Sequence, residues 1–304
     1  MQTAEGLTSR ADQAMYRSKI SEAREPVLYA PGDFAPRLSL VDRAVYAAAI
    51  KNDEITPHYQ PRVCLRTGRT CGFEALARWR RPNGEMVMPS EFLPALNELG
   101  LQGEFTYHLS RRVLEDVSRL LAEGIDPGQV SINIPEATLA THSGRQDLEW
   151  LLTENAAALD HITFEITEDV FIARSAAMIQ QSIRRFSEMG VKISLDDFGT
   201  GYASFQHLRQ LKFDELKIDT SFVAGLGKEP VAEVIVQGFL SIASGLGVGS
   251  VAEGIETEEQ RRDLLRMGCK FGQGFLFGRA EPFGPARERL LKERAAPYRS
   301  VAGG

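Results

Sequence analysis

Glu74, Asn133, Glu165, the adjacent Asp196 and Asp197, and Glu253 each fall in or at the end of a short apolar run. Carboxylate and amide oxygens are hard donors, and a set of them converging on one rim of a parallel sheet could cage divalent cations. Burial of such a group is costly unless it is hydrogen-bonded, paired or coordinated. For any one of them a structural hydrogen bond serves as well as a metal, and Asp196-Asp197 before Phe198-Gly199-Thr200-Gly201 also reads as a capped loop start. Taken together they favour metal.

Further charged groups accompany this set. Glu168 follows Glu165 in Thr163-Phe164-Glu165-Ile166-Thr167-Glu168, so two carboxylates fall within one strand end and the loop beyond it. Lys217, in Glu215-Leu216-Lys217-Ile218-Asp219, places a cation in another apolar run, with Asp219 on the same face by the period of two. A lysine there can be a Schiff-base nucleophile, a phosphate clamp or one end of a buried ion pair. Its acid-rich company favours a clamp or the orientation of water. Glu253 and Glu256 form one more acid pair, with Glu253 the stronger candidate for direct participation, and Gln273 opens the last expected strand.

Other chemistries are poorly supported. Asp197-Phe198-Gly199 spells the metal motif of protein kinases, but no kinase lysine strand, catalytic loop or glycine loop accompanies it. Gly245-Leu246-Gly247-Val248-Gly249 precedes a strand, whereas a dinucleotide fingerprint follows one. His58, His108, His142, His161 and His207 are dispersed, which argues against a histidine-rich zinc site and for ordinary surface or packing roles. Cys64, Cys71 and Cys269 are odd in number and widely spaced, so reduced, mostly buried thiols are expected in place of a disulfide framework. With 35 Lys+Arg against 41 Asp+Glu, the net charge of −6 argues against a footprint for duplex DNA or an anionic membrane. No apolar run approaches the roughly 18 to 20 residues of a membrane span, and the N-terminus lacks a signal-peptide core. A cytoplasmic protein is expected.

The elements that must position these groups alternate between short β-rich runs and longer amphipathic stretches from about Thr56 onward, the pattern of an α/β fold with parallel strands. Strands are predicted at His58–Val63, Cys71–Ala77, Val130–Ile134, Ile162–Ile166, Lys192–Leu195, Glu215–Ile218, Gly249–Ala252 and Gln273–Phe277. Eight of them suggest a closed barrel. Ser90 is expected to cap the helix that ends at Gly100, Gly190 to end another, and Thr257 with Gln260 to form a capping box for a helix stopping at Gly268. A helix should run from Ser39 through Val41, Val45 and Ala48. Before it, Arg10–Lys19 reads as a short helical leader, with Pro26, Pro31 and Pro36 punctuating an irregular connection. The expected division is a leader over residues 1–37, the barrel over 38–294 and a frayed tail over 295–304.

These residues also spell a family. Tyr59-Gln60-Pro61, Thr67-Gly68, Glu74-Ala75-Leu76-Ala77-Arg78-Trp79, Asn133, Glu165-Ile166-Thr167-Glu168, Asp196-Asp197-Phe198-Gly199-Thr200-Gly201, Lys217-Ile218-Asp219, Ala252-Glu253-Gly254 with Glu256, and Gln273-Gly274 resemble the EAL-domain cyclic-di-GMP phosphodiesterases over residues 38–290. The resemblance implies a modified TIM-type (β/α)8 barrel, often a homodimer, that holds two Mg²⁺ or Mn²⁺ ions and opens cyclic-di-GMP to linear pGpG. It also implies metal ligation by Glu74, Asn133, Glu165, Asp196 and Asp197. Catalytic roles fall to Lys217, Glu253 and Glu74, and substrate contacts to Gln60, Leu76, Arg78, Asp219 and Gln273. Glu168 and Glu256 would stabilise the loop after Asp197. Lys217 and Glu253 compete as the base, and sequence does not rank them. Arg62, Cys64, Pro135, Gly278 and Ala280 depart from the family pattern outside the expected metal shell; Arg62 and Cys64 are expected to alter a rim, a dimer contact or coupling to another domain.

The leader segment Arg10–Lys19 resembles the final helix of a GGDEF diguanylate cyclase domain, which implies an upstream GGDEF or sensor domain in a tandem protein. Cyclase activity is not expected, because the signature loop is absent. Two further functions compete with the hydrolase: a cyclic-di-GMP receptor of poor turnover acting through protein contacts, and an aldolase-like barrel using Lys217 as a Schiff base.

Overall fold

Alternation with a period of two sorts the strand residues of this chain onto two faces that do different work. The computed structural model describes residues 39–171, 173, 175–199 and 211–295. The expected leader helix at Arg10–Lys19, the motif residues Thr200 and Gly201, His207 and the tail beyond Ala295 lie outside them. Two compact units are distinguished, Met1–Arg43 and Ala44–Gly304; of the first, residues 39–43 are described.

Nine strands form among the described residues: β1 Ile55–Cys64, β2 Thr70–Arg80, β3 Met86–Val87, β4 Gln129–Asn133, β5 Ile162–Thr167, β6 Lys192–Asp196, β7 Glu215–Ile218, β8 Gly249–Ala252 and β9 Phe271–Gln273. Their order is β1-β9-β8-β7-β6-β5-β4-β2, and β1 also pairs with β2, so eight strands close into a barrel. Here the sequence expectation needs amending: β1 runs antiparallel to both of its neighbours, while β2 and β4 to β9 are mutually parallel. The cause is local. Residues 65–69 are too short a connection for a parallel crossover, and the chain reverses there with Gly68 at φ +67° and the Thr67 and Gly68 N–H groups donating to the Cys64 carbonyl. Strand β3 pairs with β2 at Trp79 and Arg80, beyond the barrel wall.

Helices cover the outside: α1 Leu40–Lys51, α2 Pro89–Glu98, α3 Gln102–Ala122, α4 Glu136–Leu139, α5 His142–Glu154, α6 Ala176–Glu188, α7 Thr220–Ala224, α8 Pro230–Leu246, α9 Glu258–Arg266 and α10 Phe283–Ala295. The outward strand residues Ile132, Phe164, Ile166, Ile193, Leu195, Leu216 and Ile218 share one core with Val113 of α3, Leu148 of α5, Ile183 of α6 and Val236 of α8. Each such side chain, taken fully out of water, contributes about 1.5–3 kcal/mol. A second cluster, including Ile55, Trp79, Phe92, Leu96 and Phe105, supports the part of the β1–β2 ribbon that extends past the barrel. The opposite face of the same strands carries Ser131, Asn133, Thr163, Glu165, Ser194, Asp196, Glu215 and Lys217, so the lumen is polar.

Several local expectations are met and others corrected. Thr257 Oγ1 accepts the Gln260 N–H at 3.2 Å and Gln260 Oε1 accepts the Thr257 N–H at 3.1 Å, completing the capping box of α9. Gly190 and Gly268 take positive φ just past α6 and α9. Helix α2 starts two residues earlier than expected: Met88 is its cap, Pro89 its first residue, and Glu91 Oε1 accepts the Met88 N–H at 3.1 Å, which displaces Ser90 from the capping role. Strand β9 ends at Gln273 instead of beginning there, because the backbone turns at Gly274, whose added Cβ would lie 2.1 Å from the Ile255 carbonyl oxygen. Glu74 lies inside the long β2 and not at its end. Of the cysteines, all free, Cys269 is buried and Cys64 and Cys71 are half-buried.

Gly128, in the turn before β4, has φ +69°, and a Cβ there would lie 2.0 Å from the Cys71 carbonyl oxygen; Gly84, at φ +87°, has open space around it. Alanine at Gly84 should cost about 1–2 kcal/mol for the left-handed backbone alone. Alanine at Gly128 should cost distinctly more, because backbone must also move. Urea denaturation midpoints of the two variants test the difference.

Candidate active site

The antiparallel ribbon sets one wall of the site. In its register Gln60 faces Glu74, His58 faces Leu76 and Thr56 faces Arg78, and residues opposite each other share a face. Glu74 is thereby buried at the level of the barrel lumen, and Leu76 and Arg78 follow it outward, both half-buried. Arg78 Nη1 donates to the Ala77 carbonyl at 2.8 Å, and Gln60 Nε2 donates to the Gly278 carbonyl at 3.4 Å.

Lys217 is the centre of the arrangement. Its side chain is 3% exposed, and Nζ lies 2.6 Å from Glu253 Oε1, 2.8 Å from Glu165 Oε2, 3.0 Å from Asp196 Oδ2 and 3.7 Å from Glu74 Oε2. The carboxylates come from β2, β5, the end of β6 and the residue after β8. Asn133 Nδ2 donates to Glu74 Oε1 at 3.0 Å, and Gln273 Nε2 donates to Glu74 Oε2 at 2.5 Å and to Glu253 Oε1 at 3.2 Å. Of the residues singled out by sequence, Glu74, Asn133, Glu165, Asp196, Lys217, Glu253 and Gln273 are thus one connected constellation.

Its electrostatics follow from excess negative charge in a buried space. Burial alone would discharge Lys217, but Glu165, Glu253, Glu74 and Asp196 outweigh it and hold the ammonium pKa well above its usual value. Burial, then repulsion from Glu74, drives Glu165 well above the usual carboxylate range. Burial likewise lifts Glu253 to about 8 against the pull of Lys217. At Glu74 burial acts upward too, but Lys217, Gln273 and Asn133 prevail and its pKa is lowered.

Beyond Asp196 the chain bends sharply. Asp197 has φ +56°, its N–H donates to Asp196 Oδ1 at 2.9 Å, and burial followed by repulsion from Asp196 raises its carboxyl to about 6. The Gly199 N–H donates to Glu168 Oε2 at 2.9 Å, and a Cβ on Gly199 would lie 2.7 Å from the Phe239 ring. Glu168 is 4% exposed, and its Oε1 has no hydrogen-bond partner among the described residues. Glu256 is exposed, and its N–H donates to Gln260 Oε1. Asp219 caps α7, accepting the Ser221 N–H at 2.9 Å.

Sequence reasoning missed a second ionic layer. Arg62, 6% exposed, donates from Nη1 and Nη2 to Glu215 at 2.9 and 2.5 Å, and Ser194 Oγ donates to Glu215 Oε1 at 3.2 Å. The guanidinium also lies 4.9 Å from the centre of the Phe271 ring. Arg62 is therefore inside the barrel, not on the rim or dimer contact expected for it. The signal was present, because Glu215 precedes Lys217 by two and must share its face. His58 was passed over as an ordinary histidine; it is half-buried on the ribbon's inner face between the fields of Arg78 and Arg80. His108 does serve packing, with Nε2 3.1 Å from the Ile55 carbonyl oxygen.

The donors suit hard dications in kind, being carboxylate and amide oxygens. They suit them in charge as well, since four carboxyl groups surround a single ammonium, and the burial and repulsion that raise Glu165 and Glu253 would be relieved by added cations. Among the described residues no three acids already stand in a metal-holding arrangement; the carboxylates are drawn to Lys217 instead.

Fold and site together define an α/β barrel of TIM type with an acid-rich centre at the C-terminal ends of its parallel strands and one reversed strand. The chain belongs to the EAL domain family, whose model matches residues 43–280. It is 38% identical over 236 residues, 77% of this chain and 44% of the relative, to a probable cyclic di-GMP phosphodiesterase PdeB of Escherichia coli. It is 32% identical over 233 residues, 77% of this chain and 59% of the relative, to the cyclic di-GMP phosphodiesterase RocR of Pseudomonas aeruginosa. The chain spans about half the length of the curated relatives it matches. Among solved structures, the PaMucR phosphodiesterase in complex with c-di-GMP superposes with a TM-score of 0.73 at 32% identity, covering 79% of this chain and 96% of that one. No helix among the described residues is long and apolar enough to cross a membrane.

Removing one partner of the Arg62–Glu215 pair strands a buried charge, which typically costs about 3–5 kcal/mol. Arg62→Met should therefore lower the denaturation midpoint strongly, and the double variant Arg62→Met/Glu215→Met should recover most of the loss. Chemical denaturation of the three proteins checks both statements.

Proposed function

We propose that this protein is a metal-dependent phosphodiesterase that hydrolyses cyclic-di-GMP to linear pGpG. The observation that carries this reading is the convergence of four carboxylates from separate strand segments on Lys217. Family membership and relatives named as cyclic di-GMP phosphodiesterases support it, as does the likeness to a phosphodiesterase solved with c-di-GMP.

Two Mg²⁺ or Mn²⁺ ions would be held by Glu74, Asn133, Glu165, Asp196 and Asp197, supplying neutralisation of the phosphoryl oxygens and a more acidic water. The chain's own groups divide the remaining work. Lys217 is committed as a donor to three carboxylates, so it contributes positive charge and orientation. Glu253 Oε1 accepts from Lys217 and Gln273, and this carboxylate takes the proton of the attacking water. Gln60, Leu76 and Arg78, on the ribbon's inner face, and Asp219 meet the substrate. Glu168 fixes the turn after Asp197 through the Gly199 N–H.

Incubation with cyclic-di-GMP and Mg²⁺ or Mn²⁺ should yield pGpG, and chelation should stop it. Lys217→Ala and Glu74→Ala should each lower kcat by about 10²–10³ or more, the scale of losing one preorganised electrostatic contact. Separation of the products by chromatography gives the answer. Tight binding without product under either metal would replace the hydrolase by a receptor.

Glu168→Gln keeps the shape of the side chain but weakens the charge-assisted bond to Gly199. A fall in kcat, with the unfolding free energy changed by less than about 1 kcal/mol, is the expected result from paired kinetic and urea measurements.

A further inference from the structure

Two neighbouring helices on the outside of the barrel each set an acid one turn ahead of an aromatic ring. Glu104 and Tyr107 stand at i and i+3 on α3, Asp147 and Trp150 at i and i+3 on α5, and residues so spaced share a helix face. The rings meet. Tyr107 and Trp150 stack with their centres 6.5 Å apart and their planes inclined by 24°. Tyr107 packs against the main core, whereas Trp150 lies away from Leu148, Leu151 and Leu152, the residues that α5 buries, and is 57% exposed. Between the helices opens a cavity of about 600 Å³, lined by these two acids and two rings together with Thr138, Thr141 and other residues of the helix ends.

The charge of this groove is one-sided. Among the described residues neither the Glu104 nor the Asp147 side chain has an ion-pair partner, and no Lys, Arg or His lines the cavity. The arginines farther along the two helices are engaged elsewhere, Arg111 Nη1 lying 2.5 Å from Glu115 Oε1 and Arg145 Nε 3.8 Å from Glu149 Oε1. Two carboxylates repel an anion, and a purely apolar ligand would leave them without compensation. An exposed indole face, by contrast, attracts a cation through the ring quadrupole. A guanidinium is planar, weakly hydrated and forked, so it can lie on a ring and donate to carboxylates at the same time; a compact, strongly hydrated ammonium is less suited to both.

We propose that the groove between α3 and α5 is a docking site for an arginine carried by a peptide segment of a partner protein, with the guanidinium on the Trp150 ring and its N–H groups donating to Glu104 and Asp147. Charge complementarity selects this occupant, and the cavity, larger than one guanidinium, has room for the peptide backbone on either side of it. None of its lining residues belongs to the Lys217 constellation. The proposal is thus independent of the phosphodiesterase reading, and a partner held there would leave the acid centre unobstructed.

The chain has two tryptophans, and Trp79 is 2% exposed, so Trp150 is the one open to collisional quenching by acrylamide. With the full chain at low salt, the peptide acetyl-Gly-Arg-Gly-Arg-Gly-amide should shield Trp150 from acrylamide, and calorimetric titration should give its affinity. Trp150→Ala should weaken binding by about 5-fold or more, the loss of one cation–π contact, while Trp150→Phe, which keeps a ring, should retain most of it. The double variant Glu104→Gln/Asp147→Asn should weaken binding at least as much as Trp150→Ala, and the lysine counterpart of the peptide should bind more weakly than the arginine peptide. No measurable binding to the unaltered chain, equal affinity for Trp150→Ala, or equal affinity for the lysine or glutamate counterpart of the peptide would overturn the proposal. Sedimentation showing self-association that Trp150→Ala abolishes would give the groove to a second copy of this chain and overturn it as well.

Discussion

A lysine ammonium buried among four carboxylates governs this molecule. Without Lys217 the lumen would hold Glu74, Glu165, Asp196 and Glu253 within a few ångströms of one another with nothing to offset their mutual repulsion. Unscreened like charges in a buried space discharge by taking up protons or push the structure apart. The ammonium keeps the acids close and only partly balanced. A centre that remains negative overall is receptive to further cations.

The barrel can tolerate this because its strands separate stability from chemistry. Outward residues such as Phe164, Ile193 and Leu216 enter one continuous apolar core with the helices, while inward neighbours one position away carry charge. Arg62 and Glu215 extend the same logic below the active layer, pairing bidentately so that a second set of charges is internally compensated. The reversed β1 brings Gln60 and His58 opposite Glu74 and Leu76, making a wall that parallel strands with covering helices would not supply.

Much of this was legible in the sequence. Seven of the eight barrel strands fell where β-rich runs predicted them, and Glu74, Glu165, Asp196, Lys217 and Glu253 announced themselves as charges set in apolar runs. The last strand was misplaced because Phe275-Leu276-Phe277 looks like a strand core, whereas Gly274 is clamped under Ile255 and forces a turn. The direction of β1 was missed although Thr67-Gly68 marks a reversal; a short turn specifies an antiparallel neighbour more firmly than the general αβ alternation specifies a parallel one. Motif reading leaves the setting of Glu256 and Asp219 open: the fold exposes the first and places the second at a helix cap. Arg62 escaped because its partner lies 153 positions away.

The two-faced strands carry an evolutionary consequence. Since the grip of the helices on the sheet is exerted wholly on the outside, residues of the lumen can be exchanged for others of balanced charge without loosening that grip. A descendant could therefore surrender its chemistry and persist as a folded receptacle of the same shape. Catalysis in such a lineage is more easily lost than architecture.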